Sequence, residues 1–236
     1  MPLARRAFST VDMVALIGIL VVVGLITTIV MMALRGPRTA GATARRMQSA
    51  TQVRGIHQSM LLFAGTNNGW CPGVDSNGNG APRVEEVYRL LLDGNFFTAE
   101  YMISPADTRT TWTSGTVTSA NYSYAMLQIN PGASFEPAVG VSPGSPFARR
   151  KEWRDTTNAE AAVLADRNTG TAAAPTSIHD ATAWRGSVAY NDNHADFVAT
   201  HILPRTQYSG VVTMDDLLFD AAGDDDALMI FEGTEK

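Results

Sequence analysis

A single cysteine, Cys71, stands in the 236-residue chain. No disulfide can form within one chain, so the fold is not a disulfide scaffold. Cys71 precedes Pro72, and the pair reads as a small apolar residue at a turn; nothing near it in sequence would activate a thiol. Charge is scarce too. Asp, Glu, Lys and Arg make up 17% of the residues, low for a soluble cytosolic protein. The net charge is −5, and no Lys/Arg-rich face is present, which argues against a nucleic-acid partner. A Gly-x-Ser-x-Gly elbow is missing, and strand patterns do not alternate with helix patterns. A Ser/His/Asp hydrolase therefore has no frame, and the expectation is that the chain is not an enzyme.

Ala, Gly, Ser, Thr and Asn fill the space that charge leaves, a composition suited to a loop-rich exported domain. The charges that exist are unevenly placed. Arg5, Arg6, Arg35, Arg38, Arg45, Arg46 and Arg54 lie in the first quarter, where they can meet anionic lipid headgroups. The last residues are acidic, from Asp215 through Asp224, Asp225 and Asp226 to Glu235.

From Met13 to Leu34 there is no charge at all. A helix of that length rises about 33 Å, enough to cross a hydrocarbon core. It is longer than the apolar core of a cleaved secretory signal, and Arg35-Gly36-Pro37-Arg38 comes after it, so it is expected to stay in the mature protein. Arg5 and Arg6 predict a cytoplasmic N-terminus and an exported C-terminal part. Asp12, an acid at the edge of the apolar run, is either a functional group or a carboxylate that reaches back to the headgroups.

The flank Arg5-Arg6-Ala7-Phe8-Ser9-Thr10-Val11-Asp12 resembles the N-terminus of type IV prepilins and type II secretion pseudopilins. Their pattern is a basic leader, a small residue (usually Gly), then Phe-Thr-Leu-Ile-Glu and a long apolar helix. Ala7 takes the small-residue position, Phe8 the first mature position and Asp12 the glutamate position. The resemblance implies that a prepilin peptidase cuts between Ala7 and Phe8 and methylates the new amino group. It implies that Asp12 neutralises the Phe8 ammonium of a neighbouring subunit. A paired charge is far cheaper in apolar surroundings than a lone one.

Later segments extend the likeness towards pilin-like proteins of Planctomycetes, Verrucomicrobia and relatives. They are Thr66-Asn67-Asn68-Gly69-Trp70-Cys71-Pro72, Ile103-Ser104-Pro105-Ala106-Asp107, Asn121-Tyr122-Ser123-Tyr124, Ala162-Val163-Leu164-Ala165-Asp166-Arg167 and Gly186 to Val198. Their order, more than any one of them, carries the resemblance.

The residues themselves predict an α+β fold: a long N-terminal helix, transmembrane then amphipathic, on a small antiparallel sheet with long loops. After Gly36-Pro37, expected to kink or open the helix, Met47, Ala50, Val53, Ile56, Met60 and Phe63 recur at helical spacing and predict the packed face. The helix should stop near Thr66 to Gly69. Residues 85–92 suggest a short helix with apolar Val87, Leu90 and Leu91. Val188 and Tyr190, the turn Asn191-Asp192-Asn193 and then Phe197-Val198 suggest a hairpin. Residues 104–120 and 131–146 read as surface loops, and 227–231 as an edge strand after a solvated aspartate turn. The expected organisation is a leader at 1–7, a membrane helix at 8–36, an exported helix half at 37–68 and a globular domain at 69–236.

Asp75-x-Asn77-x-Asn79-Gly80 followed by Glu86 has calcium-loop spacing, with Asp75, Asn77, Asn79 and Glu86 as candidate ligands. Cys71-Pro72-Gly73 before it and Pro82 after it fit a plain turn better. Asp224 to Asp226 is a second calcium candidate. Asp192, His194 and Asp196 alternate on one strand face and, with His179 and His201, could ligate zinc, though the spacing matches no zinc motif. Asn121-Tyr122-Ser123 is a glycosylation sequon. No resident cofactor is expected.

Three roles fit these residues. One is a structural subunit of a type IV pilus or type II secretion pseudopilus, in the bacterial inner membrane before assembly, with pilin-like subunits, the peptidase and lipid as partners. Another is a membrane-anchored exported binding domain that never polymerises. The last is a calcium-binding or enzymatic exported domain that uses the leader for targeting only.

Overall fold

The computed structural model describes residues 10–80, 83–129, 147–220 and 227–231, the side chains of 10–12, 32–40 and 147–148 excepted. Helix α1 spans Thr10–Thr66 and runs through Gly36-Pro37 without a break. Pro37 removes one backbone donor there, and the expected kink or opening does not interrupt the helix. The chain divides into two compact units, Met1–Ala44 and Arg45–Lys236, so α1 supplies residues to both.

The second unit is mixed helix and sheet. Along its part of α1, Val53, Ile56, Met60 and Ala64 are buried at three- and four-residue spacing. Met47 departs from the expected stripe, because it is 68% exposed and the buried face begins at Ser49 instead. The helix ends in a turn where Asn68 and Gly69 both have positive φ and Gly69 N donates to Ala64 O. That αL ending satisfies a carbonyl the helix would leave orphaned.

Helix α2 (Val84–Asp93) buries Val84, Val87, Tyr88 and Leu91. Leu90 is 39% exposed, and Tyr88 points inward and donates to Tyr124 O. A short α3 covers Phe147–Lys151.

Strands β1 (Tyr124–Leu127), β2 (Ala162–Asp166), β3 (Gly186–Tyr190) and β4 (Ala195–Val198) form an antiparallel sheet with β7 (Met229–Ile230) at the far edge, in the order β4-β3-β2-β1-β7. Every residue of β1, β2 and β3 is buried. These strands therefore read as near-continuous apolar runs rather than alternating ones. The expected 186–198 hairpin is β3–β4, with Asn193 at φ 67 in its turn, and the expected edge strand is β7.

A separate hairpin, β5 (Ile202–Tyr208) and β6 (Val211–Leu217), closes through Ser209-Gly210. Both turn residues have positive φ, as a two-residue type I′ connection demands. Tyr208 from this hairpin donates to Ala162 O on β2. The 131–146 loop and the Asp224 to Asp226 cluster lie outside the described residues.

Candidate functional site

Of the expected processing site, Ala7 and Phe8 lie outside the described residues, as does the side chain of Asp12. Beyond them, Met13–Met31 is a helix long and apolar enough to cross a membrane, whether as an anchor or as a signal segment, and none of it is buried in the chain. Its two polar side chains are Thr27 and Thr28. Thr27 Oγ1 donates to Val23 O and Thr28 Oγ1 to Gly24 O, each at 2.7 Å. Both hydroxyl protons are thus satisfied within the helix, as a water-free surrounding requires. Positions beside Gly18 and Gly24 are open space within 4 Å.

In the second unit the polar residues converge on a buried centre. Asp166, at the end of β2, is fully buried. Its carboxylate accepts from Ser49 Oγ on α1 at 3.1 Å and from Ser187 N on β3 at 2.6 Å, and it lies 3.1 Å from His179 Nε2. Ser104 Oγ donates to Ser49 Oγ. A Cβ on Gly186 would fall 2.7 Å from Asp166 Cβ, so only glycine lets β3 approach here. One residue on, Arg167 pairs with Asp107 at 2.9 Å. Burial opposes ionisation of Asp107, but the Arg167 guanidinium and the Thr108 N–H outweigh it and hold its carboxyl below the usual range. Ser123 Oγ accepts from Ser104 N, and Arg167 N donates to Ser123 O. Ser104, Asp107, Ser123, Asp166 and Arg167 are thus neighbours, although they are scattered in sequence. A carboxylate ending an apolar strand was the available signal for this centre; the serines facing it gave none.

Asp166, His179 and Ser49 have the composition of a hydrolase triad without its geometry. Ser49 bonds the carboxylate rather than the imidazole, and among the described residues no hydroxyl bonds the His179 ring. The set joins helix to sheet.

His57, on α1, sits between Asn191 Oδ1 at 3.3 Å and Asn193 Oδ1 at 3.1 Å. The Asn191 amide is already oriented by donation to Glu152 O and Thr156 Oγ1. Burial pushes the His57 pKa down, and the neutral ring, with one N–H, donates to one of the two amide oxygens and so ties α1 to the β3–β4 turn. His194 lies beside Asp192 and stacks on Tyr190, whose phenol burial pushes up to about 12. His201 stands elsewhere. Among the described residues no three His, Cys, Asp or Glu side chains form a metal-holding group, so the structure does not assemble the zinc set.

The 75–80 loop closes on itself. Asp75 Oδ1 accepts from Asn77 N and Asn79 N, which lower the pKa of this exposed carboxyl, the Asn79 contact most. Glu86 accepts from Arg83 N as a helix cap. Arg150 donates to Gly78 O and Gly80 O, setting a cation over the loop. The sequon is equally spent. Asn121 Nδ2 donates to Thr110 O, Oδ1 accepts from Thr118 N, and Ser123 is fully buried. Cys71 is buried, and burial pushes its thiol pKa far up.

Comparison with family models, with curated proteins and with solved structures returns no match.

Proposed function

We propose that this chain is a pilin-like structural subunit of a type IV pilus-like or type II secretion pseudopilus-like filament. The observation that carries the reading is α1 itself. One helix, Thr10–Thr66, supplies an apolar membrane-length segment with every side chain exposed and also the central core helix of a separate α+β unit. The convergence of Ser104, Asp107, Ser123, Asp166 and Arg167 supports it as well, since those residues come from the segments that resemble pilin-like proteins.

In this role residues 1–7 are a cytoplasmic leader, and cleavage between Ala7 and Phe8 leaves a methylated amino terminus. The subunit waits in the inner membrane with its second unit exported. On assembly the apolar face of Met13–Met31 passes from lipid to neighbouring helices, where Gly18 and Gly24 permit close approach. Repetition of one heterologous contact then generates an open filament. The work is structural rather than catalytic, and neither a metal nor a cofactor takes part.

Intact mass and N-terminal sequence of the membrane-extracted protein test this. A chain that begins at Phe8 with one added methyl group is the expected result. A chain that begins at Met1 in cells with active prepilin peptidase would overturn processing and leave a simple membrane anchor with an exported domain.

A further inference from the structure

The β5–β6 hairpin has two edges, and they differ. Its closing pair, Tyr208 and Val211, flanks a two-residue turn, so the two residues exchange both backbone bonds. Alternation then turns the N–H and C=O of Gln207 away from β6, and those of Val212 and Met214 away from β5. On the β5 side the outward groups are used. Gln207 N donates to Glu160 O, and Gln207 O accepts from Asn158 Nδ2. On the β6 side, among the described residues, nothing bonds the outward groups of Val212 and Met214.

The side chains repeat the contrast. Val212 is 41% exposed and Met214 65%. Outside α1, the exposed large apolar side chains among the described residues are these two, Ile202 on β5, Leu90 and Tyr101, so the hairpin holds most of that surface. An edge strand that faces water is ordinarily guarded by a charge, a proline or a bulge. Strand β5 carries Pro204 and Arg205, and Arg205 is held by Glu160 at 3.0 Å. Val211 to Met214 carries no such guard; the flat run ends only at Asp215, with its positive φ.

We propose that this edge pairs with the same edge of a second copy, β6 against β6, antiparallel about a two-fold axis through Thr213. One antiparallel register matches outward groups with outward groups at both positions. It sets Val212 of each copy opposite Met214 of the other, and each such pair exchanges both backbone bonds. The exposed Val212 and Met214 side chains then meet across the pair. Asp215 lies opposite Val211, so no like charges face each other.

Any extended strand would satisfy the backbone of this edge. The β6 sequence satisfies its side chains too, and that self-complementarity selects a second copy. Both partners use the same patch, so the contact closes as a pair and does not propagate. It is separate from the filament reading and stands or falls without it.

The test uses the full-length chain in detergent. Thr213→Cys puts a thiol on the axis, where the Cα atoms of a non-hydrogen-bonded pair lie about 4.5 Å apart, within disulfide reach. Oxidation should convert most of that variant to a disulfide-linked dimer and leave Ala173→Cys, on an exposed turn, monomeric; buried Cys71 does not compete. Val212→Lys with Met214→Lys, both at exposed positions, should cut the Thr213→Cys dimer by about tenfold. Hydrogen exchange at the Val212 and Met214 amides reads the pairing without a cysteine. It should be slow at high protein concentration and at least about tenfold faster on dilution. No dimer, with fast exchange at every concentration, would overturn the pairing. A dimer that survives the lysine substitutions would make the cross-link a chance collision and overturn it as well. Slow exchange that ignores dilution would give the edge to another strand of the same chain and overturn the second copy.

Discussion

Ser49 Oγ on α1 lies 3.1 Å from Asp166 Oδ1 at the end of β2, and neither residue is exposed. This bond, with His57 between Asn191 and Asn193 and with Tyr124 OH donating to Gln52 Oε1, fastens the helix to the sheet through polar groups as well as through Val53, Ile56 and Met60. Apolar packing tolerates small slides of a helix; buried hydrogen bonds of fixed direction do not.

Asp166→Ala should therefore be among the most destabilising single changes in the second unit. It strands the Ser187 N–H and the Ser49 hydroxyl in the interior and removes the His179 partner. Each stranded donor costs about 1–3 kcal/mol, so a loss of at least ~3 kcal/mol is expected. Ser49→Ala removes one donor and should cost about 1 kcal/mol. Urea unfolding of the full chain in detergent, followed by Trp fluorescence, measures both; Trp184 donates to Asp166 O and reports locally. Equal, small losses for the two variants would mean the centre is dispensable.

His57 sets a pH limb. Burial holds its folded pKa below the ordinary value of 6.5. Between the folded pKa and about 6.5 the unfolded chain binds a proton there that the folded chain does not, so stability falls as pH drops through that interval and is flat above it. His57→Gln should flatten this limb. Asp107 and Asp192, whose pKa values are lowered, contribute stability that is lost only at lower pH, below about 4. Unfolding midpoints measured between about pH 7 and pH 5 separate the two. A limb unchanged in His57→Gln would assign it to another group.

Cys71 should be inert. Its thiol is buried and its pKa is raised by that burial, so the thiolate that reacts is almost absent. A maleimide should label the native chain negligibly and the urea-unfolded chain fully. Rapid native labelling would show that the Trp70 to Val74 segment opens readily.

How far these features were legible in sequence depends on how local their causes are. The membrane-length helix, α2, the β3–β4 hairpin and the β7 edge come from short-range signals: a charge-free run, helical spacing, and Asn191 to Asn193 at a turn. The β5–β6 hairpin had such a signal in Ser209-Gly210, but Pro204 and the acidic Asp215-Asp216 obscured the alternation. Asp215 has φ 54, and the burial pattern of β6 changes phase there, turning Asp216 inward. Met47 fits a helical stripe on spacing alone, yet it is exposed, while Arg46 beside it lies over Phe197 of β4 and full burial begins at Ser49. Of the Asp166 centre only the carboxylate ending an apolar strand was legible, because Ser49, Ser104 and His179 meet it only through long-range topology.

The 75–80 loop should ignore calcium despite its spacing. Asp75 is already spent on Asn77 N and Asn79 N, Glu86 caps α2, and Arg150 bonds the loop carbonyls. A ligand that binds only the folded state raises its stability in proportion to RT ln(1 + [L]/Kd), so millimolar calcium should leave the unfolding temperature unchanged. A clear rise, lost in Asp75→Ala, would restore the metal reading.

Asp12 separates processing from assembly. On the proposed filament reading Asp12 lies beyond the cut between Ala7 and Phe8, so Asp12→Ala should still be processed. On that same reading, assembly would place the Phe8 ammonium among apolar helices, where an unpaired charge costs several kcal/mol. Without the Asp12 carboxylate that cost stands, and filament recovery should fall by at least about tenfold. Asp12→Glu keeps the charge on a longer arm and should assemble. Immunoblots of sheared filaments, beside the mass of the membrane-extracted subunit, read both steps in one experiment. Normal filaments from Asp12→Ala would remove the charge pair from the assembly route and leave helix packing as its only driving force.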